Sequence, residues 1–130
     1  MTAIEQAKAV VAAHEELVRE GDLDGMLENF AEDVVVLAAD APLVVGKGSV
    51  RDLYTNLMAM GIWEFGHDYL GAEEVGNLVI LHGVARGTLT PPDGGGSSVS
   101  NNFLHVFKRD ADGRWRIWRA AFAPSGEALR

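Results

Sequence analysis

The sequence contains no cysteine. Disulfides, thiolate metal sites and cysteine nucleophiles are therefore excluded. Basic charge is scarce as well: 11 Lys and Arg stand against 19 Asp and Glu, for a formal net charge of -8. Phosphate binding needs a basic face, so no nucleic-acid partner is expected. No apolar run approaches the ~20 residues of a membrane span. The opening stretch reaches Glu5 and Lys8 before any apolar run, unlike a signal peptide. No membrane partner and a cytoplasmic location are expected. The histidines His14, His67, His82 and His105 form no H-x-x-x-H or H-x-H pair, so no metal is expected. Gly94-Gly95-Gly96 lacks the Lys and Ser/Thr of a phosphate loop, and there is no G-x-S-x-G nucleophile elbow. No cofactor is expected.

What is present is an ordinary globular composition. The chain has 130 residues, 48% of them apolar, which supports one core and a single domain over 1–130. The acidic excess lies wholly in the first half: 12 acidic and 4 basic residues to Phe65, then 7 and 7. That pattern reads as a solvated helical surface. A first helix is expected from about Ala3 to Glu20. Thr2 and Glu5 make its capping box, Ile4, Ala7, Val11, His14 and Val18 its apolar stripe, and Gly21 its stop. Asp22 caps a second, short helix to about Phe30. Val34–Ala38 and Leu43–Val45 read as short strands around an Asp40-Ala41-Pro42 turn. Ser49 and Asp52 form the capping pair of a third helix that ends near Met60. Four long strands follow, Ile62–Leu70, Leu78–Leu89, Val99–Arg109 and Arg114–Ala123. Helices first and a long meander after give an α+β roll: a cone-shaped, curved, mostly antiparallel sheet wrapped around the long first helix, with two further helices.

Three histidines fall where chemistry is conceivable. His14 sits in the apolar stripe of the first helix, either as an acid/base or donor group or as a hydrogen-bonded core residue. His67 lies in the alternation Trp63-x-Phe65-x-His67-x-Tyr69, an aromatic strand face that suits a flat apolar ligand, the sheet core or a dimer face. His105 alternates with Asn101, Phe103 and Phe107, and a bulge would reverse that parity. Arg86 and Arg119 are expected to pair with acidic neighbours.

The stretch Gly21–Asp33 resembles the second-helix signature of the nuclear transport factor 2-like superfamily, which includes ketosteroid isomerase and SnoaL-like polyketide cyclases. Gly46–Tyr54 resembles the start of its third helix and Asp112–Ile117 its last hairpin. The resemblance implies a pocket between the first helix, the third helix and the concave sheet, and dimers that pair through the outer sheet face. It places His14 at a first-helix tyrosine position of the family and puts Ala38 at the general-base position. Alanine cannot take a proton, so the steroid-isomerase mechanism is not expected. Asp40, two residues on, is a candidate substitute with His14. The resemblance also implies that Trp118 and Phe122 face the pocket, with Trp115 and Ile117 packed elsewhere. The ligand-binding set is then Tyr54, Trp63, His67, His105, Trp118 and Phe122. The leading expectation is a homodimeric protein that binds a small apolar or aromatic molecule. The alternatives are an isomerase, cyclase or dehydratase using His14 as acid or base, and a dimeric protein-interaction module.

Overall fold

The computed structural model describes residues 1–125. The chain runs α1 (Ala3–Glu20), α2 (Leu23–Leu27), β1 (Phe30–Ala38), β2 (Val44–Val45) and α3 (Lys47–Ala59). It continues as β3 (Ile62–Val75), β4 (Leu78–Thr90), β5 (Ser97–Arg109) and β6 (Trp115–Pro124). It is the expected α+β roll. One six-stranded sheet, in the order β2-β1-β6-β5-β4-β3, curves around α1. Every neighbouring pair is antiparallel except β1 with β6.

The local chemistry explains most boundaries. Thr2 accepts from the Glu5 N–H at 3.1 Å, and Gly21 closes α1 at φ 71°, where a side chain would cost energy. Ala7, Val11, His14 and Val18, spaced four, three and four residues apart, are the buried stripe of α1. The second helix stops earlier than expected. Asp22 caps it through the Gly25 N–H, but it ends at Leu27, and Phe30 already belongs to β1. The third helix starts differently too. Gly46, at φ 86°, occupies the N-cap with no side-chain cap bond, so Ser49 and Asp52 do not form the expected pair.

Sheet curvature comes from close approach and from bulges. A Cβ on Gly83 would overlap the Asp68 carbonyl oxygen, and one on Gly87 the Glu64 carbonyl. Only glycine lets β3 coil this tightly over β4. Leu70 is an extra residue between the pairs Tyr69–Gly83 and Gly71–His82. Trp118 is another: Phe107 pairs with Ile117, yet the adjacent Val106 pairs with Arg119. Beyond each bulge the inward and outward faces exchange. The core lies between α1 and the concave face, where Phe30, Phe107, Leu81, Val34, Val50 and Val79 are fully buried. Among the described residues no helix is long and apolar enough to cross a membrane.

Candidate functional site

The concave face does not fill completely. A cavity of about 160 Å³ remains between α1, α3 and the sheet. Its wall is mostly rings and aliphatic groups, including Phe30, Val36, Phe65, Phe103, Leu57 and Met58. The alternation of β3 turns Trp63, Phe65 and His67 inward together. The Trp63 indole is held at the end of α3, donating its Nε1–H to the Leu57 carbonyl at 2.8 Å.

Polar groups interrupt the wall at three places, one of them the Asn101 side chain on β5. Of the other two, the first is a chain of three residues. Asn29 and His14 are each only 6% exposed, so they need each other as partners. Asn29 donates its Nδ2–H to His14 Nδ1 at 3.1 Å. The neutral ring then carries its proton on Nε2, which lies 3.2 Å from Tyr54 Oη. Burial, helped by the charge of His67, pushes the His14 pKa down to about 4, which keeps the ring neutral at pH 7. His14 thus donates to the Tyr54 oxygen and leaves the phenolic O–H free to turn elsewhere. Burial also pushes the Tyr54 pKa up, which keeps that proton in place. The backbone helps to fix the arrangement, because the Asn29 carbonyl accepts from the Ile117 N–H at 2.8 Å.

The second polar place is on the sheet. His67 Nδ1 lies 2.7 Å from Glu15 Oε2, on the turn of α1 that faces β3. Its ring centroid is 5.7 Å from that of His105 on β5. Phe103 stands edge-on to His67, at 4.8 Å between centroids. Burial, with the charges of His67 and His14, pushes the His105 pKa down to about 3. Nδ1 of His105 is the one buried side-chain nitrogen or oxygen without a hydrogen-bond partner among the described residues. Tyr69, just beyond, has its pKa pushed up to about 12 by burial and by Glu15.

Six of the eight residues singled out in the sequence line this cavity: His14, Tyr54, Trp63, His67, His105 and Phe122. The other two do not. Asp40 is exposed at φ 56° in the turn that follows β1, so strand alternation has ended before it. Trp118 is the bulged residue of β6 and points to the outer face. There it donates to Asp33 Oδ2 at 3.2 Å and is flanked by the Lys108 ammonium and the Arg119 guanidinium. Ile117, Ala120 and Phe122 take the inward positions instead. The buried Trp115 and Ile117 belong to the core, and the Trp115 indole donates to Gln6 Oε1 at 2.8 Å. Arg86 pairs with Asp68, as the sequence suggested. Arg119 instead donates to the Asp33 and Trp118 carbonyls. Ala38, which the resemblance set at the general-base position, pairs with Phe122. Two partners were missed, Asn29 and Glu15. Neither has a local signal: Asn29 is 15 residues from His14, and Glu15 is 52 from His67. Among the described residues no group of three or more His, Asp or Glu is placed to hold a metal ion.

This architecture has a family. A family model described as a SnoaL-like domain matches residues 11–118, and the chain belongs to that family. A ketosteroid isomerase-like protein from Erwinia carotovora atroseptica SCRI1043 has the same fold, with a TM-score of 0.83 at 15% identity over 95% of this chain and 96% of that one. So has an NTF2-like protein of unknown function from Pseudomonas putida KT2440 (TM-score 0.76, 19% identity, 96% and 89% covered). An NTF2-like protein with a cystatin-like fold from Novosphingobium aromaticivorans matches over 95% and 82%, with a TM-score of 0.75 at 20% identity. These likenesses show the fold. No curated protein matches the sequence.

Proposed function

We propose that the protein binds a small, flat, largely apolar molecule in the cavity beneath α1 and α3. The observation that carries this reading is the wall itself: a partly open space lined by Trp63, Phe65, Phe103 and Phe122, with few polar groups. Apolar enclosure supplies affinity and a small number of polar groups fixes orientation. Titration with naphthalene-sized aromatics and cyclic ketones, followed by calorimetry, tests it. Micromolar binding that Ala120→Leu weakens at least tenfold, with the fold intact by circular dichroism, is the expected result. Absence of binding across the panel, or binding indifferent to Ala120→Leu, contradicts it.

A second reading, an isomerase-, cyclase- or dehydratase-type enzyme, draws on one specific observation. The Asn29–His14–Tyr54 chain leaves the Tyr54 O–H free to donate, the kind of group that polarises a ligand carbonyl. Both nitrogens of His14 are engaged, so in this reading it acts through Tyr54. The homodimer belongs to the same proposal. Leu104, 44% exposed, lies on the outer sheet face with the half-buried Val84 and Val106, and this patch would be covered by a second copy. A dimer mass by sedimentation at micromolar concentration supports that assembly, and a monomer mass contradicts it.

A further inference from the structure

The two imidazoles on the sheet differ in a way that defines a ligand group. His67 uses Nδ1 toward the Glu15 carboxylate, which accepts but cannot donate. The proton of a neutral His67 ring is therefore on Nδ1, and Nε2 carries a lone pair. His105 has the opposite constraint. Its Nδ1 is sealed in the sheet without a partner. A buried N–H without an acceptor is rarer in proteins than an unfilled acceptor, so the ring proton belongs on Nε2. Among the described residues, Nε2 of neither ring is a buried atom without a partner. Both rings line the cavity. One therefore presents an acceptor and the other a donor. Their centroids are 5.7 Å apart, close enough for one ligand oxygen to meet both rings.

We propose that His67 and His105 form a hydroxyl-recognition site, and that the cavity takes an aromatic or otherwise flat alcohol. The ligand O–H donates to His67 Nε2 while its oxygen accepts from His105 Nε2–H. An ether offers only the acceptor, a hydrocarbon neither, and a site with unmet polar groups discriminates against both. Glu15 is the positioning residue, because its carboxylate fixes which nitrogen of His67 is bare. The inference rests on the binding reading above and deepens it by naming the polar group of the ligand.

The test compares 2-naphthol, 2-methoxynaphthalene and naphthalene by calorimetric titration of the full chain. We expect 2-naphthol to bind at least tenfold more tightly than naphthalene, with the methyl ether no better than the hydrocarbon. His67→Phe and His105→Leu should each reduce that preference below threefold. Equal binding of all three compounds by the wild-type chain overturns the hydroxyl site and leaves the binding reading standing. Binding by none of the three overturns both. A preference that disappears with Tyr54→Phe but survives both histidine variants places the hydroxyl elsewhere and also overturns the proposal. Where a histidine variant fails to fold, ring NMR signals of the wild-type chain decide: 2-naphthol should shift those of His67 and His105, and unmoved signals overturn the proposal.

Discussion

Glu15 and His67 are 52 residues apart in the chain and 2.7 Å apart in space, where the exposed flank of α1 meets the concave face of β3. The contact sets the tautomer of a cavity residue from outside the cavity. At pH 8, nitrogen NMR of the wild-type chain should show His67 protonated on Nδ1. Glu15→Ala should restore the Nε2–H form common in free imidazoles. An Nε2–H ring in the wild type would contradict the assignment.

Acid should loosen this fold earlier than it loosens one without buried histidines. Burial pushes the pKa of His14 down to about 4 and that of His105 down to about 3 in the folded chain, against 6.5 for a free imidazole side chain. Between those values the unfolded chain binds more protons, so stability rises with pH. The contribution is complete above about pH 6.5 and declines as pH falls toward 4, with each ring adding up to about 1.4 kcal/mol per pH unit. Urea unfolding at pH 7, 6 and 5 should show a falling midpoint. A flat profile would mean that the rings are charged or hydrated in the folded state.

Asn29 should be worth more than its size suggests. Asn29→Leu leaves the buried Nδ1 of His14 without its donor. The expected loss is about 1–3 kcal/mol, the usual cost of orphaning a buried polar group. Equilibrium unfolding measures it, and a change below ~0.5 kcal/mol would show that water replaces the amide.

Gly83→Val should be among the most damaging single changes. The added side chain meets backbone of β3, which cannot yield as a flexible side chain would. A loss of about 2–3 kcal/mol is expected, at the upper end of overpacking effects. A stable Gly83→Val chain with an unaltered spectrum would rule out the close β3–β4 approach.

Trp63 and Trp118 should respond to ligand differently. Trp63 lines the cavity, and Trp118 stacks against Arg119 on the outer face. Ligand should quench or shift the fluorescence of a Trp118→Phe chain and leave that contribution absent from a Trp63→Phe chain. The reverse outcome would restore Trp118 to the pocket.

Much of this was legible because periodicity is a local property. The α1 stripe placed His14 inward, and the β3 alternation placed Trp63, Phe65 and His67 on one face. The illegible parts were those where one residue changes the phase. At Trp118 a single unpaired residue turns the ring outward while leaving Phe122 inward, and nothing in the sequence marks the bulge. Asp40 failed for a related reason: alternation holds only while the strand lasts, and β1 ends at Ala38. Phe30 satisfies helical spacing as well as strand character, so the end of α2 had no unique solution. Asn29 and Glu15 were invisible as partners because their contacts exist only after the sheet has closed over α1.

The position of β6 has a consequence for how the molecule comes into being. Of the six described strands this one is made last, yet it lies between β1 and β5, joining the first-made strands to the long meander. Until residues 115–124 leave the ribosome, β1 lacks its partner for parallel pairing and Ile117, Ala120 and Phe122 are missing from the cavity wall. Pairing elements so distant in sequence is the slow kind of assembly. A chain interrupted before Trp115 lacks the strand that joins β1 to β5, and with it one wall of the cavity.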